Sequence, residues 1–462
     1  MKTKTLTLIL VCGLAACSSS TGRSGSEATD TAATDTAATD TAATDTAVAE
    51  TTEIDDAGTA VPDAEPTDAE SVDVGEPPAS PPILSNGARF SPGFGEGTRH
   101  VQPAVAFGED GLLVVAWAGF DEDGGNGSGI FARPFDVTGE AKALGSAERL
   151  SADSAALVNE PRLCALHDQP GFVAVWSVDK GEPGPDGENL EVQFRLLDAD
   201  GRATGDTVRV YTARPGNHWL GDVGCDPNGG FVVTGVRPPA GDGGFEVFTV
   251  AYTSAGDAVG EPFTPLAVTM NGQGQGFPSV GVTPDGTVIS AFESTIGNDV
   301  AQQLAAVAEK DGVGTDLGKL LAVVGVASST ATVSVDPKTG NTMFAGINDA
   351  KLILRPLDGE TIGMAIGLGE DPTMVTSAHA LAPVGGGSHA LVYARGTGSS
   401  VDIRVTYVAK QGVDTADTAA TGKFPLAYSP AIAYRDGRVA VAWTEAAQSS
   451  EFTINAIVYQ SP

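Results

Sequence analysis

Residues 103–117 read PAVAFGEDGLLVVAW: a proline, a short apolar run to Phe107, a polar turn at Asp110-Gly111 and a second apolar run ending in Trp117. Two β-rich runs split by Asp-Gly predict an antiparallel hairpin, because that dipeptide accepts the left-handed dihedrals of a tight turn. The same phrase returns at Pro161–Ala165 with Gly171-Phe172-Val173-Ala174-Val175-Trp176, and again at Pro430-Ala431-Ile432-Ala433, Asp436-Gly437 and Val439-Ala440-Val441-Ala442-Trp443. Beyond the first hairpin come Ile130–Phe135, a turn through Asp136 and Gly139, and a last short run at Arg149-Leu150-Ser151. The second copy matches it with Val192-Gln193-Phe194-Arg195 and the turn Asp198-Ala199-Asp200-Gly201. Each unit therefore reads as a four-stranded antiparallel meander.

Two glycine ladders extend the pattern over the chain. One runs Gly111, Gly171, Gly229, Gly286, Gly340, Gly386 and Gly437; the other, half a repeat later, runs Gly139, Gly201, Gly256, Gly312, Gly359 and Gly412. They mark seven units of about 54 residues, a period that signals a propeller, solenoid or array. In the weaker middle units Phe292 and Tyr393 hold the place of the tryptophan, with Gly235 and Gly346 near it elsewhere. That aromatic position is expected to pack one unit on the next. A single four-stranded sheet cannot bury both faces, and radial stacking of seven such sheets solves the problem.

The ends of the repeat region sharpen this into a ring. The seventh unit reaches Phe452–Tyr459 as a third strand and has no fourth before Pro462, whereas Ala88-Arg89-Phe90-Ser91 precedes Pro103 much as Glu148-Arg149-Leu150-Ser151 precedes Pro161. The expectation is an all-β, seven-bladed β-propeller over residues 83–462, closed by an N-terminal strand that completes the last blade and protects both edges.

Before it the composition changes. Met1-Lys2-Thr3-Lys4 followed by apolar Leu6–Leu14 reads as a signal peptide, too short to span a bilayer. Residues 18–82 hold four copies of Ala-Thr-Asp-Thr-Ala between 28 and 47, then an acidic run to Pro81-Pro82. Fifteen of the chain's 59 Asp and Glu fall between Glu27 and Glu76, and no Lys or Arg lies between Arg23 and Arg89. Such a stretch cannot offset the entropy of ordering, so it reads as a disordered acidic tether. The net charge of −33 argues against nucleic acid, whose phosphates need clustered Lys and Arg.

Leu14-Ala15-Ala16-Cys17 resembles the cleavage motif of bacterial lipoproteins, which implies lipidation of Cys17, export, and a soluble remainder held at a membrane. Ser18 after the cysteine resembles the pattern sent to the outer membrane or cell surface. The units themselves resemble propeller-type repeats of bacterial surface proteins, and their pairing with a Thr/Asp-rich tether resembles lipoproteins of deltaproteobacteria, including myxobacteria. The resemblance implies architecture, since propellers host many functions.

Chemistry is sparse. Cys164 and Cys225 fall on corresponding strands of neighbouring units, and an oxidising compartment would let them form a disulfide. The loops joining second to third strands and those leading into each blade should share one face, and in units one to three they are long and acidic. One contains Asp121, Asp123 and Asn126, oxygen ligands that suit calcium, although Ala132 stands where an EF-hand needs its last Glu. No other cofactor is implied. The five histidines show no paired metal spacing, and neither a Gly-x-Ser-x-Gly elbow nor a sialidase Asp-box is present. Exposed His218-Trp219 at a lead-in loop is the expected ligand contact. The sequence thus predicts a monomeric, membrane-anchored binding module for a protein or glycan partner. The alternative is an exported polysaccharide hydrolase or lyase with carboxylates at the channel mouth.

Overall fold

The computed structural model describes residues 89–92, 98–121, 128–152, 157–181, 189–211, 213, 215–239, 244–265, 274–296, 301–322, 330–348, 351–368, 375–397, 400–413, 418–419, 426–448 and 451–460. The chain divides into one unit of Met1–Ala16 with Ser80–Pro462 and another of Cys17–Ala79, and every described residue belongs to the first. Cys17 and the tether lie outside the described residues, among which there is no helix.

Seven antiparallel sheets follow one another along the chain. Blade one comprises Thr98–Phe107, Leu112–Asp121, Gly129–Asp136 and a fourth strand in two pieces, Lys142–Ala143 and Glu148–Arg149. Blade two comprises Leu157–Ala165, Phe172–Asp179, Leu190–Leu197 and Ala203–Arg209; blade three comprises Trp219–Cys225, Phe231–Arg237, Glu246–Tyr252 and Ala258–Phe263. Blade four comprises Gln275–Val282, Val288–Ile296, Ala301–Lys310 and Val313–Ala322; blade five begins with Thr332–Val335, blade six with Val375–Gly385 and blade seven with Leu426–Arg435. The first strand of each blade touches the first strand of the next, and Leu426–Arg435 returns to Thr98–Phe107. The sheets form a closed ring, a seven-bladed β-propeller with the first strands around its axis.

The apolar clusters are the blade-to-blade contacts. Leu112, Val114, Ala116 and Ala118 face Phe172, Ala174 and Trp176 of blade two, while Leu113, Val115 and Trp117 face Ala440, Ala442 and Ile454 of blade seven. Strand alternation sends successive residues to opposite faces, so a run with no polar interruption serves two interfaces at once. Trp117, Trp176, Trp443, Phe292 and Tyr393 are all buried against the preceding blade. The turns obey their local chemistry. Asp110 and Gly111 both take positive φ, 52° and 78°, the pair a type I′ hairpin requires.

A second repeated device lies next to the axis. Each well-formed first strand carries a bulge, with positive φ at Gln102, Glu160, Leu220, Phe277 and Ser429. Four of these precede a proline, which has no amide hydrogen to leave unpaired. The bulge amide is satisfied from the preceding blade: Gln102 N donates to Thr444 Oγ1 and Leu220 N to Ser177 Oγ, both at 3.0 Å. Ser177 and Thr444 each follow a blade tryptophan. Ala118 holds that place in blade one without a hydroxyl, and Gln102 Oε1 instead accepts from Glu160 N at 3.0 Å. Val280 N to Asp222 Oδ2 and Val333 N to Ser279 Oγ, each 3.1 Å, continue the circuit.

Blade seven has three strands of its own, Leu426–Arg435, Arg438–Gln448 and Glu451–Gln460. Its fourth place is taken by the N-terminal segment: Phe90 N donates to Ala456 O at 3.0 Å and Ala456 N to Phe90 O at 2.9 Å. Arg89 reaches Glu445 at 2.6 Å and Asn455 at 2.9 Å, Ser91 Oγ donates to Ile454 O, and Phe90 meets Phe135 of blade one with centroids 4.9 Å apart. The segment is seated two residues away from the Arg-Leu-Ser alignment that the sequence suggests. Ala456 occupies the register of Ala132, whose partner is Glu148 rather than Leu150. An even shift keeps every side chain on its original face, so Phe90 still points toward blade one.

Candidate functional site

Antiparallel alternation places the lead-in loops and the second-to-third-strand loops at one end of the ring, and blade three presents the clearest surface there. Trp219 opens its first strand opposite Val236, and Phe245 immediately precedes its third strand. Their rings are 4.1 Å apart at 73°, an edge-to-face pair. Trp219 is half-buried, packed against the Val236, Val247 and Phe292 cluster, while Phe245 is 36% exposed.

The same strand ends carry a buried ion pair on the opposite face of the sheet, toward blade two. Arg237 Nε lies 3.0 Å from Glu246 Oε1, both almost fully buried, and Arg237 Nη2 donates to Thr264 Oγ1 at 2.9 Å. A charge pair this deep is tolerable only because its geometry and extra hydrogen bonds satisfy it. Gln275 of blade four ties the edge down: its amide donates to Phe245 O, and its side-chain oxygen accepts from Val247 N, each at 2.7 Å.

His218, the neighbour of Trp219, is 1% exposed and meets Phe248 edge-on at 6.1 Å. His100 occupies the corresponding position in blade one and meets Trp117 in the same way, at 5.8 Å. That position faces the preceding blade, so of the two sequence candidates only Trp219 reaches the surface. Phe245, Arg237, Glu246 and Gln275 escaped the sequence reading, because nothing in a single strand announces which loop-end residue will meet a neighbour across the sheet.

Among the five bulge positions described, Glu160 is the ionisable one. It is half-buried on the first strand of blade two, and burial raises its carboxyl above the ordinary range against the opposing pull of Arg162. Arg162 Nε lies 3.6 Å from Asp222 Oδ1 of blade three. By contrast Asp285, at an Asp-Gly turn, is exposed and held well below the carboxylate range by hydrogen bonds from Lys310, Thr283 and Thr287. It closes a turn.

The structure joins Cys164 and Cys225 with Cα atoms 5.9 Å apart, stapling blades two and three at the end of the ring away from Trp219. Asp121 ends the second strand of blade one, whereas Asp123 and Asn126 lie outside the described residues. Among the described residues no group of three His, Cys, Asp or Glu is placed to hold a metal.

No protein-family model matches the chain, and no curated protein matches it. Solved structures do. A protein of unknown function from Dyadobacter fermentans is 12% identical, covers 83% of this chain and 100% of its own, and superposes with a TM-score of 0.48. The polysaccharide lyase Uly1 gives 9% identity, 78% and 90% coverage and 0.48; the α-L-arabinanase of Penicillium chrysogenum gives 12%, 78% and 93%, and 0.44.

Proposed function

We propose that this chain is an exported, lipid-anchored binding module that presents the lead-in face of its propeller to a protein or glycan partner. The observation that carries this reading is the Trp219–Phe245 pair, an accessible aromatic surface whose edge is tied down by Gln275 of blade four. Surface aromatics fixed in this way supply contact area at little entropic cost. The export and anchoring half rests on the sequence around Cys17 and on the acidic tether, whose length gives the ring reach from a membrane.

Glycan-array and pull-down measurements on the wild type and on Trp219→Ala test the reading. A captured partner should lose about tenfold or more in affinity to the variant, the range of an interface anchor. A partner retained equally by both would move recognition away from blade three.

Glu160 favours one second reading, cleavage of polysaccharide near the axis. A carboxyl held above its ordinary range can deliver a proton to a leaving oxygen. Release of reducing or unsaturated ends by the wild type and not by Glu160→Gln would support it; release by neither excludes it for the substrates tried.

A further inference from the structure

Blade seven repeats the aromatic pair of blade three, and the difference between the two identifies a ligand chemistry. Tyr428 lies opposite Thr444, the residue after Trp443, as Trp219 lies opposite Val236, the residue after Gly235. Phe452 stands three residues before Asn455, the partner of Trp443; Phe245 stands three before Phe248, the partner of Gly235. The Tyr428 and Phe452 rings meet edge-on at 6.1 Å.

On blade seven this pair is covered. The guanidinium of Arg99, from the next blade, lies with Cζ 5.8 Å from the Phe452 ring centroid, and Phe452 is only 5% exposed. Register assigns the same place beside blade three to Gly274: Arg99 precedes His100, which faces Gly119, and Gly274 precedes Gln275, which faces Ser294. The contact between these positions recurs elsewhere. Asn217, their counterpart in blade three, accepts hydrogen bonds from Asn189 N and Leu190 N at the start of the third strand of blade two. The bond from Gln275 N to Phe245 O holds Gly274 next to Phe245. A glycine brings no side chain to cover the ring, and Phe245 is 36% exposed where Phe452 is 5%.

We propose that Trp219 and Phe245 bind the guanidinium of an arginine on a partner protein, in the place that Arg99 fills on blade seven. This rests on the reading of the lead-in face as a binding surface, and narrows its partner to a protein with an exposed arginine. The negative face of an aromatic ring attracts a cation, and a planar, weakly hydrated guanidinium stacks there better than an ammonium. Arg237, beside Val236 but on the opposite face of the sheet, is paired with Glu246. The chain's net charge of −33 draws cationic partners toward it.

The test uses the full chain and three probes, hexa-arginine, hexa-lysine and the uncharged isostere hexa-citrulline, at physiological salt. Trp117, Trp176 and Trp443 are buried to 1% or less, so acrylamide quenching of tryptophan fluorescence reports on Trp219. Hexa-arginine should protect that residue saturably and hexa-citrulline should not. Gly274→Arg, which restores the cover in cis, and Phe245→Ala should each weaken hexa-arginine binding about fivefold or more by calorimetry. Unchanged affinity in both variants, or equal binding of the lysine or citrulline peptide, overturns the assignment. If hexa-arginine fails while a pulled-down partner is still lost on Trp219→Ala, only the guanidinium assignment falls; if neither binds, the binding-face reading falls with it.

Discussion

At the scale of the residue, the propeller is held by substitutions that answer one another across blades. Ser177 and Thr444 cap the bulge amide of the following blade, and where Ala118 cannot, Gln102 supplies the acceptor for Glu160 N. An uncapped buried amide would cost about 1–3 kcal/mol. Glu160 itself is held at some expense to stability. Its carboxyl is raised in the folded state. Between the ordinary value near 4.5 and its own raised value the folded chain therefore holds more protons than the unfolded one, and stability falls as pH rises through that window. Glu160→Gln should be more stable than the wild type at pH 7, with the gain vanishing near pH 4, in urea unfolding followed at both values. A gain of equal size at pH 4 would show that the carboxyl's charge is not its source. None of this could be read from Glu160 alone: the proline after it was visible as a repeat mark, but the bulge and the crowding around it come from neighbouring blades.

At the scale of the element, the fourth strand is where sequence and structure differ in detail. The likeness of Ala88-Arg89-Phe90-Ser91 to Glu148–Ser151 correctly marks the segment that takes the fourth place of blade seven, pairing through Phe90. The backbone seats it two residues along, with Phe90 opposite Ala456. Side-chain contacts set that register. Arg89 reaches Glu445 and lies 5.6 Å over Trp443, and Phe90 packs on Phe135 of blade one. Similarity of letters fixes a face, whereas pairing is decided by what each side chain meets. Phe90→Ala should destabilise the ring by about 2 kcal/mol, less than a fully buried phenylalanine because the residue is half-buried. Deleting residues 83–92 should lower the urea midpoint far more than deleting 28–47. Equal tolerance of the two deletions would mean that the closing strand contributes nothing.

At the scale of the whole molecule, closure joins the two ends of the repeat region, so the segment that completes blade seven follows the acidic stretch of residues 18–82 in the sequence. Cys17→Ala should shift the protein from the membrane fraction to the soluble one, and a variant that stays with the membrane unchanged would end the anchoring proposal. The sequence by itself determined the repeat, the strands and the ring, because turn dihedrals and a two-residue side-chain period are local constraints written into each unit. It also pointed to Trp219. Only the tertiary structure decided that His218 is buried, that Phe245 is its neighbour's true companion, and that Gly274 leaves uncovered what Arg99 covers elsewhere. Those facts depend on which residues of adjacent blades face one another, and that pairing exists only once the sheets have been stacked around the axis.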